Sequence, residues 1–140
     1  MPPYEFQDLV AALLDAMGYH VAWIAPPGPD KGIDLVAYTD PLGASGPRIK
    51  VQVKRRADKI AVQEVRSFVA VLSDKDVGIF VSTGGFTSDA HAEARHQESR
   101  RVSLIGMDEL FDLWVEYYDQ MEESAKQRLP LKPIYYLALG

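Results

Sequence analysis

Cysteine is absent from the 140 residues. That excludes disulfides, cysteine-ligated zinc and cysteine nucleophiles, and it agrees with a protein of the reducing cytoplasm. No uninterrupted apolar run approaches the roughly 18 to 20 residues that span a bilayer. Residues 1–6 have neither the basic nor the apolar region of a signal peptide. The expectation is therefore a soluble chain with no membrane partner. Histidine is scarce: His20 is isolated, and His91 and His96 stand five apart, a poor spacing for a shared metal. A P-loop is missing too. Ser82-Thr83-Gly84-Gly85 follows an apolar run, but no Gly-Lys-Ser/Thr element comes after it.

Positive charge is also short, with a formal net of -5. Its distribution matters more than its sum. Residues 107–125 hold seven acids (Asp108, Glu109, Asp112, Glu116, Asp119, Glu122, Glu123) and no Lys or Arg. Residues 48–59 hold Arg48, Lys50, Lys54, Arg55, Arg56 and Lys59 against Asp58 alone. A basic stretch of that density can attract a phosphate backbone on an acidic molecule. Taken alone, it reads equally as a solvated loop.

What is present fits one α/β domain. Phe6, Leu9, Val10, Leu13, Leu14 and Met17 recur at helical spacing, and Gly18 is placed to end that helix. Strands are expected over residues 20–24, 33–38 and 49–54, the last alternating cleanly with Lys50, Gln52 and Lys54 on one face. The prolines of residues 26–29 make the first connection a loop. Val62, Val65, Val69 and Leu72 mark a second helix. Residues 77–81 read as a strand covered on both faces, and Thr87 or Ser88 caps a third helix. Residues 102–105 form a last core strand, and a fourth helix carries Leu110, Leu113, Trp114, Tyr117 and Met121. The order α-β-β-β-α-β-α-β-α predicts a central mixed sheet flanked by helices. The domain is expected over residues 1–121. Residues 122–140 would be a C-terminal extension, with Ile134, Tyr135, Tyr136 and Leu137 in an edge strand or interface segment.

One polar residue interrupts the apolar pattern where it should not. Asp34 lies within Gly32-Ile33-Asp34-Leu35-Val36, and a buried carboxylate costs several kcal/mol unless paired, hydrogen-bonded or bound to metal. Gln52 and Lys54 stand about 6–7 Å apart on the neighbouring strand. If the face of that strand meets Asp34, the three form a compact site suited to metal-assisted hydrolysis. Asp34, the backbone carbonyl of Val53 and the amide oxygen of Gln52 would hold Mg2+, or Mn2+ in its place. Lys54 would orient or activate water, or offset phosphoryl charge. Each residue alone has a plainer reading: Asp34 as a turn or salt-bridge residue, Gln52 and Lys54 as surface polar groups, Glu5 as a first-turn acid favoured by the helix dipole. Asp30 reads as a loop-shaping residue. The combination carries the chemistry.

In this order and spacing the pieces resemble the Mrr-like restriction endonuclease catalytic domain, of the PD-(D/E)XK nuclease superfamily. They are Phe6-Gln7-Asp8-Leu9-Val10, Gly28-Pro29-Asp30-Lys31-Gly32-Ile33-Asp34, Val51-Gln52-Val53-Lys54-Arg55 and Gly78-Ile79-Phe80-Val81-Ser82-Thr83-Gly84-Gly85-Phe86-Thr87. The resemblance spans roughly residues 4–118 and implies the restriction endonuclease-like fold. It implies Mg2+-dependent cutting of double-stranded DNA, often foreign or modified, by a domain commonly joined to a separate recognition domain. The family's acidic ligand falls on Asp34, its E/Q-x-K element on Gln52 and Lys54, and its first-helix acid on Glu5. Glutamine at 52 leaves the site one negative charge short of the superfamily's commoner pattern, so Glu5 or substrate phosphate must contribute more. Lys50, Arg55, Arg56, Lys59, Gln63, Ser82 and Thr83 are the expected DNA contacts. A homodimer and a separate recognition subunit are the other expected partners. The rival readings are an inactive DNA-binding or assembly module of the same fold, and a junction-resolvase-type nuclease.

Overall fold

A computed structural model describes residues 3–26, 32–97, 100–132 and 137. Five strands form one sheet in the order β1-β2-β3-β4-β5: β1 His20–Ile24, β2 Leu35–Tyr38, β3 Ile49–Lys54, β4 Val77–Ser82 and β5 Arg101–Ile105. The first three strands pair antiparallel, and β3, β4 and β5 pair parallel. The expected mixed sheet is thus observed. Antiparallel neighbours need only short turns, whereas each parallel step needs a crossover, supplied by α2 (Val62–Ala70) and α3 (Ser88–Arg95). Among the described residues no helix is long and apolar enough to cross a membrane.

Two cores sit on opposite faces of this sheet. On one, α1 (Pro3–Ala16) and α4 (Met107–Tyr117) pack Phe6, Leu9, Leu13, Leu110 and Trp114 against Leu35, Val51 and Val53. On the other, α2 and α3 pack Val65, Phe68, Leu72 and Ala90 around Phe80. The ring of Phe80 meets Phe68 and Phe86 edge-on at 5.3 Å, the geometry favoured by aromatic quadrupoles. At Gly78 an added Cβ would lie 2.8 Å from both Phe68 and Leu72, so only glycine lets α2 approach this closely.

Beyond α4 the helix tightens into a 3-10 turn at Tyr118–Gln120 and then a short α5, Glu123–Lys126, rather than continuing to Met121. This part of the extension folds back on the first core. The Trp114 indole donates to the Leu129 carbonyl at 2.9 Å, and the Tyr118 hydroxyl accepts from Leu131 N–H at 3.1 Å. Ala125 and Leu131 pack on the same core. Of the expected edge strand, Ile134, Tyr135 and Tyr136 lie outside the described residues, and Leu137 is exposed and in no strand.

Candidate active site

The site lies where β2 and β3 part. Leu35 pairs with Val51, but the Asp34 N–H donates to the same residue's carbonyl, out of step with that register. The regular ladder therefore stops at Leu35, one residue past Asp34, and not at Ile33 as the sequence pattern suggests. The next free amide of β3 is Val53 N–H, and the Asp34 carboxylate takes it at 2.7 Å. A strand residue directs its N–H and C=O to the same edge. The Val53 carbonyl thus opens into the same gap.

Gln52 and Lys54 flank Val53. Gln52 pairs with Phe80 and Lys54 with Ser82, so both stand on the sheet face covered by α2. Asp34 meets their strand from its edge, at the peptide joining Gln52 to Val53. Asp34 and Gln52 are both buried, at 6% and 8% exposure, and Lys54 is half-buried. The second carboxylate oxygen of Asp34 accepts from Gln7 Nε2 at 2.9 Å.

Gln7 is the residue the sequence reading missed. Glu5 was the expected first-helix contributor. It is half-buried, lies about 200° around the helix from Gln7, and makes no described contact with Asp34. Of the two, Gln7 is the α1 residue in contact with Asp34. The signal was available, since Gln7 interrupts the buried run Phe6, Leu9, Val10 as a half-buried polar residue on its flank.

The electrostatics follow from burial. Asp34 is pushed above the ordinary carboxylate value of 3.8 by desolvation, which the Val53 and Gln7 hydrogen bonds only partly offset. It has no ion-pair partner among the described residues. Burial likewise pushes the Lys54 ammonium below its usual value; Glu64 opposes that shift and Arg56 adds to it. Asp34 is thus a costly anion and Lys54 a weakened cation, each made so by its own burial.

The basic segment after β3 is strapped to the end of β4. Thr83 Oγ1 accepts from the Arg56 N–H and donates to the Arg56 carbonyl, both at 3.0 Å. Ile60 N–H bonds the Gly85 carbonyl, and Thr87 N–H bonds the Ile60 carbonyl. Gly84 lies under the carbonyls of Arg56, Ala57 and Asp58, where a Cβ would come within 2.3 to 2.7 Å of backbone oxygen. Gly84→Ala must therefore lift the loop. We expect a stability loss of about 1–3 kcal/mol, read as a lower Tm, with faster tryptic cleavage after Arg55 or Arg56.

This arrangement revises the expected DNA-facing set. Arg55, Arg56, Lys59 and Gln63 are exposed on the segment that follows β3 and opens α2, with Arg56 ion-paired to Glu64. Ser82 is corrected: it is fully buried, and its hydroxyl has no hydrogen-bond partner among the described residues, so it presents nothing to a ligand. Lys50 is corrected as well. It lies about 13 Å from Lys54 along β3 and is bound to Asp76 Oδ2 and the Val71 carbonyl, both at 3.1 Å. Thr83 spends its hydroxyl on the Arg56 backbone. Asp30 lies outside the described residues.

Comparison with known proteins decides the family. A restriction endonuclease catalytic-domain model, Mrr_cat, matches residues 1–114. The chain belongs to the Mrr-type restriction endonuclease family. It is 30% identical over 121 residues to the type IV methyl-directed restriction enzyme EcoKMrr of Escherichia coli K12, covering 81% of this chain and 38% of that protein. In fold it is similar to the MspJI restriction endonuclease, solved with a 27-mer oligonucleotide. That match has TM-score 0.71 and 20% identity, covering 90% of this chain and 32% of MspJI. The DNA modification-dependent restriction endonuclease AspBHI matches with TM-score 0.66 and 17% identity, over 90% of this chain and 33% of its own. The chain thus spans about a third of the length of these relatives.

Proposed function

We propose that this Mrr-type domain hydrolyses phosphodiester bonds of double-stranded DNA with a divalent metal, in defence against foreign or modified DNA. One observation carries the reading. A carboxylate is sunk where β2 and β3 part, without a cationic partner among the described residues, against the strand that bears Gln52 and Lys54. A fold keeps such a group at a cost in stability, and a bound cation is what relieves it.

The donor set suits Mg2+ or Mn2+. Each Asp34 oxygen accepts one hydrogen bond and retains a lone pair. The Val53 carbonyl opens into the same gap, and the Gln52 amide would supply a further oxygen from the adjoining residue. Mg2+ is commonly held by one or two carboxylates, with waters and substrate phosphates completing its shell, so one carboxylate suffices once DNA is bound. When present, the metal supplies Lewis-acid polarisation of the phosphoryl group and a more acidic water. Gln7 fixes the Asp34 carboxylate from α1. Lys54 offsets phosphoryl charge or handles the proton of the attacking water. Arg55, Arg56, Lys59 and Gln63 position flanking phosphates. Target choice is proposed to lie in a separate recognition domain or subunit, as the larger size of the relatives suggests.

A second reading, a nuclease-fold module that binds DNA without cutting, is favoured by the neutral side chains at 7 and 52. They leave Asp34 as the one carboxylate among the described groups in contact at the parting of the strands. The two readings separate in a plasmid assay with methylated and unmethylated DNA in Mg2+, Mn2+ or EDTA. Nicking or linearisation that requires metal supports hydrolysis. DNA binding without cutting in any metal supports the second reading and removes the first.

A further inference from the structure

The sheet face that carries Gln52 and Lys54 is only half covered. Its α2–α3 layer packs on β4 and β5, while the β1–β2 half of the same face has no helix over it among the described residues. Register identifies what stands there. Trp23 pairs with Val36, and Val36 with Lys50. Lys50 pairs with Gly78, the glycine that meets α2. Trp23 therefore projects from the same face as Gln52 and Lys54, and its side chain is 46% exposed. It is an indole on an edge strand, facing solvent.

Its distance from the site is short. The Ala25 amide donates to the Asp34 carbonyl at 2.8 Å. Trp23 lies two residues back along β1 and one strand spacing across, which places it about 8 Å from the Asp34 backbone. That is roughly two base steps along a nucleic-acid strand. Charge favours the same occupant. The acids of residues 107–125 ride mainly on α4, and α4 packs with α1 on the opposite face of the sheet. The open half-face thus lies on the side of the sheet away from α4.

We propose that Trp23 stacks on a nucleobase about two steps from the phosphate held at Asp34, so that the open half of the sheet is part of the DNA-binding surface. The inference rests on the nuclease reading above and adds a residue with no expected role in it. An indole suits a base that the bound strand turns out of its stack, because a freed base offers its π-face whatever the sequence.

The chain holds two tryptophans, and Trp114 is buried at 1% exposure, so the difference between wild-type and Trp23→Phe emission isolates Trp23. A fluorescein-labelled duplex is titrated into the whole chain in EDTA, following anisotropy and tryptophan emission together. The expected result is quenching of Trp23 as the duplex binds. Trp23→Ala should then bind about 5- to 100-fold more weakly with an unchanged melt, and Trp23→Phe should retain most of the affinity. If the duplex binds without changing Trp23 emission and Trp23→Ala binds as tightly, the proposal is overturned and the nuclease reading stands. If Trp23 emission instead depends on protein concentration without DNA, a second copy occupies this face and the proposal is overturned. If no nucleic acid binds at all, the nuclease reading fails and takes this one with it.

Discussion

Asp34→Asn is expected to melt higher than the native protein in EDTA at neutral pH, and to cut no DNA in Mg2+. The reason is the cost of a desolvated anion. Asn can accept the Val53 N–H at its Oδ1, and Gln7 can rotate its amide to accept from the new NH2, so both hydrogen bonds survive while the charge goes. A gain of about 1 kcal/mol, or about 3 °C, is the size usual when a functional group is removed. The pH dependence gives the sign. Asp34 titrates above 3.8 in the fold, so between 3.8 and its folded value the native state holds a proton that the unfolded chain has released. Native stability therefore rises as pH falls through the folded value, and the advantage of Asn should vanish in acid. Mg2+ should stabilise the native protein by mass action and leave Asp34→Asn unmoved. A variant that melts lower than wild type at neutral pH, or responds equally to Mg2+, would remove Asp34 from the metal site.

Lys54→Ala should lose ~10²–10⁴ in cleavage rate, the range set by removing a proton-transfer group or a positioned charge, while the circular dichroism spectrum stays native. The pH profile tells the two roles apart. Burial already lowers the affinity of Lys54 for its proton, Glu64 props it up, and Arg56 opposes it. Glu64→Gln removes the supporting charge and also releases Arg56 from its ion pair, so both changes move Lys54 further down. If Lys54 works as a cation, activity is lost as pH rises through its pKa, and that loss should come at lower pH in Glu64→Gln. If it works as a neutral base, activity grows through the same pKa, and the growth should begin at lower pH. A profile that Glu64→Gln does not move would take Lys54 out of the rate-limiting chemistry.

Much of the architecture was readable from local pattern. The α1 stripe, the alternation of residues 49–54 and the apolar run of β4 each follow from one period and one buried face. The misplaced start of β2 has a specific cause: Ile33 and Asp34 carry a strand-like pattern, but the carboxylate competes for the amide of Val53 and ends the ladder. Ser82 and Lys50 looked like DNA contacts because small and basic residues are common there. Their fates depended on neighbours distant in the chain: β3, which pairs Ser82 with Lys54 in the buried sheet, and Asp76, which binds Lys50. Gln7 carries no charge to mark it in the sequence, whereas contact with Asp34 is decided by the helix face.

The order of elements, the lack of cysteine and the clustering of charge are properties of the chain alone, because they depend on residue type and spacing within a few turns or strands. The partnership of Asp34 with Gln7 and Val53 joins residues 27 and 19 positions apart. The separation of acidic α4 from the open half of the sheet depends on which face each crossover takes. Hydrogen-bond reach and burial act over a few ångströms in space, and only the closed fold brings those groups that near.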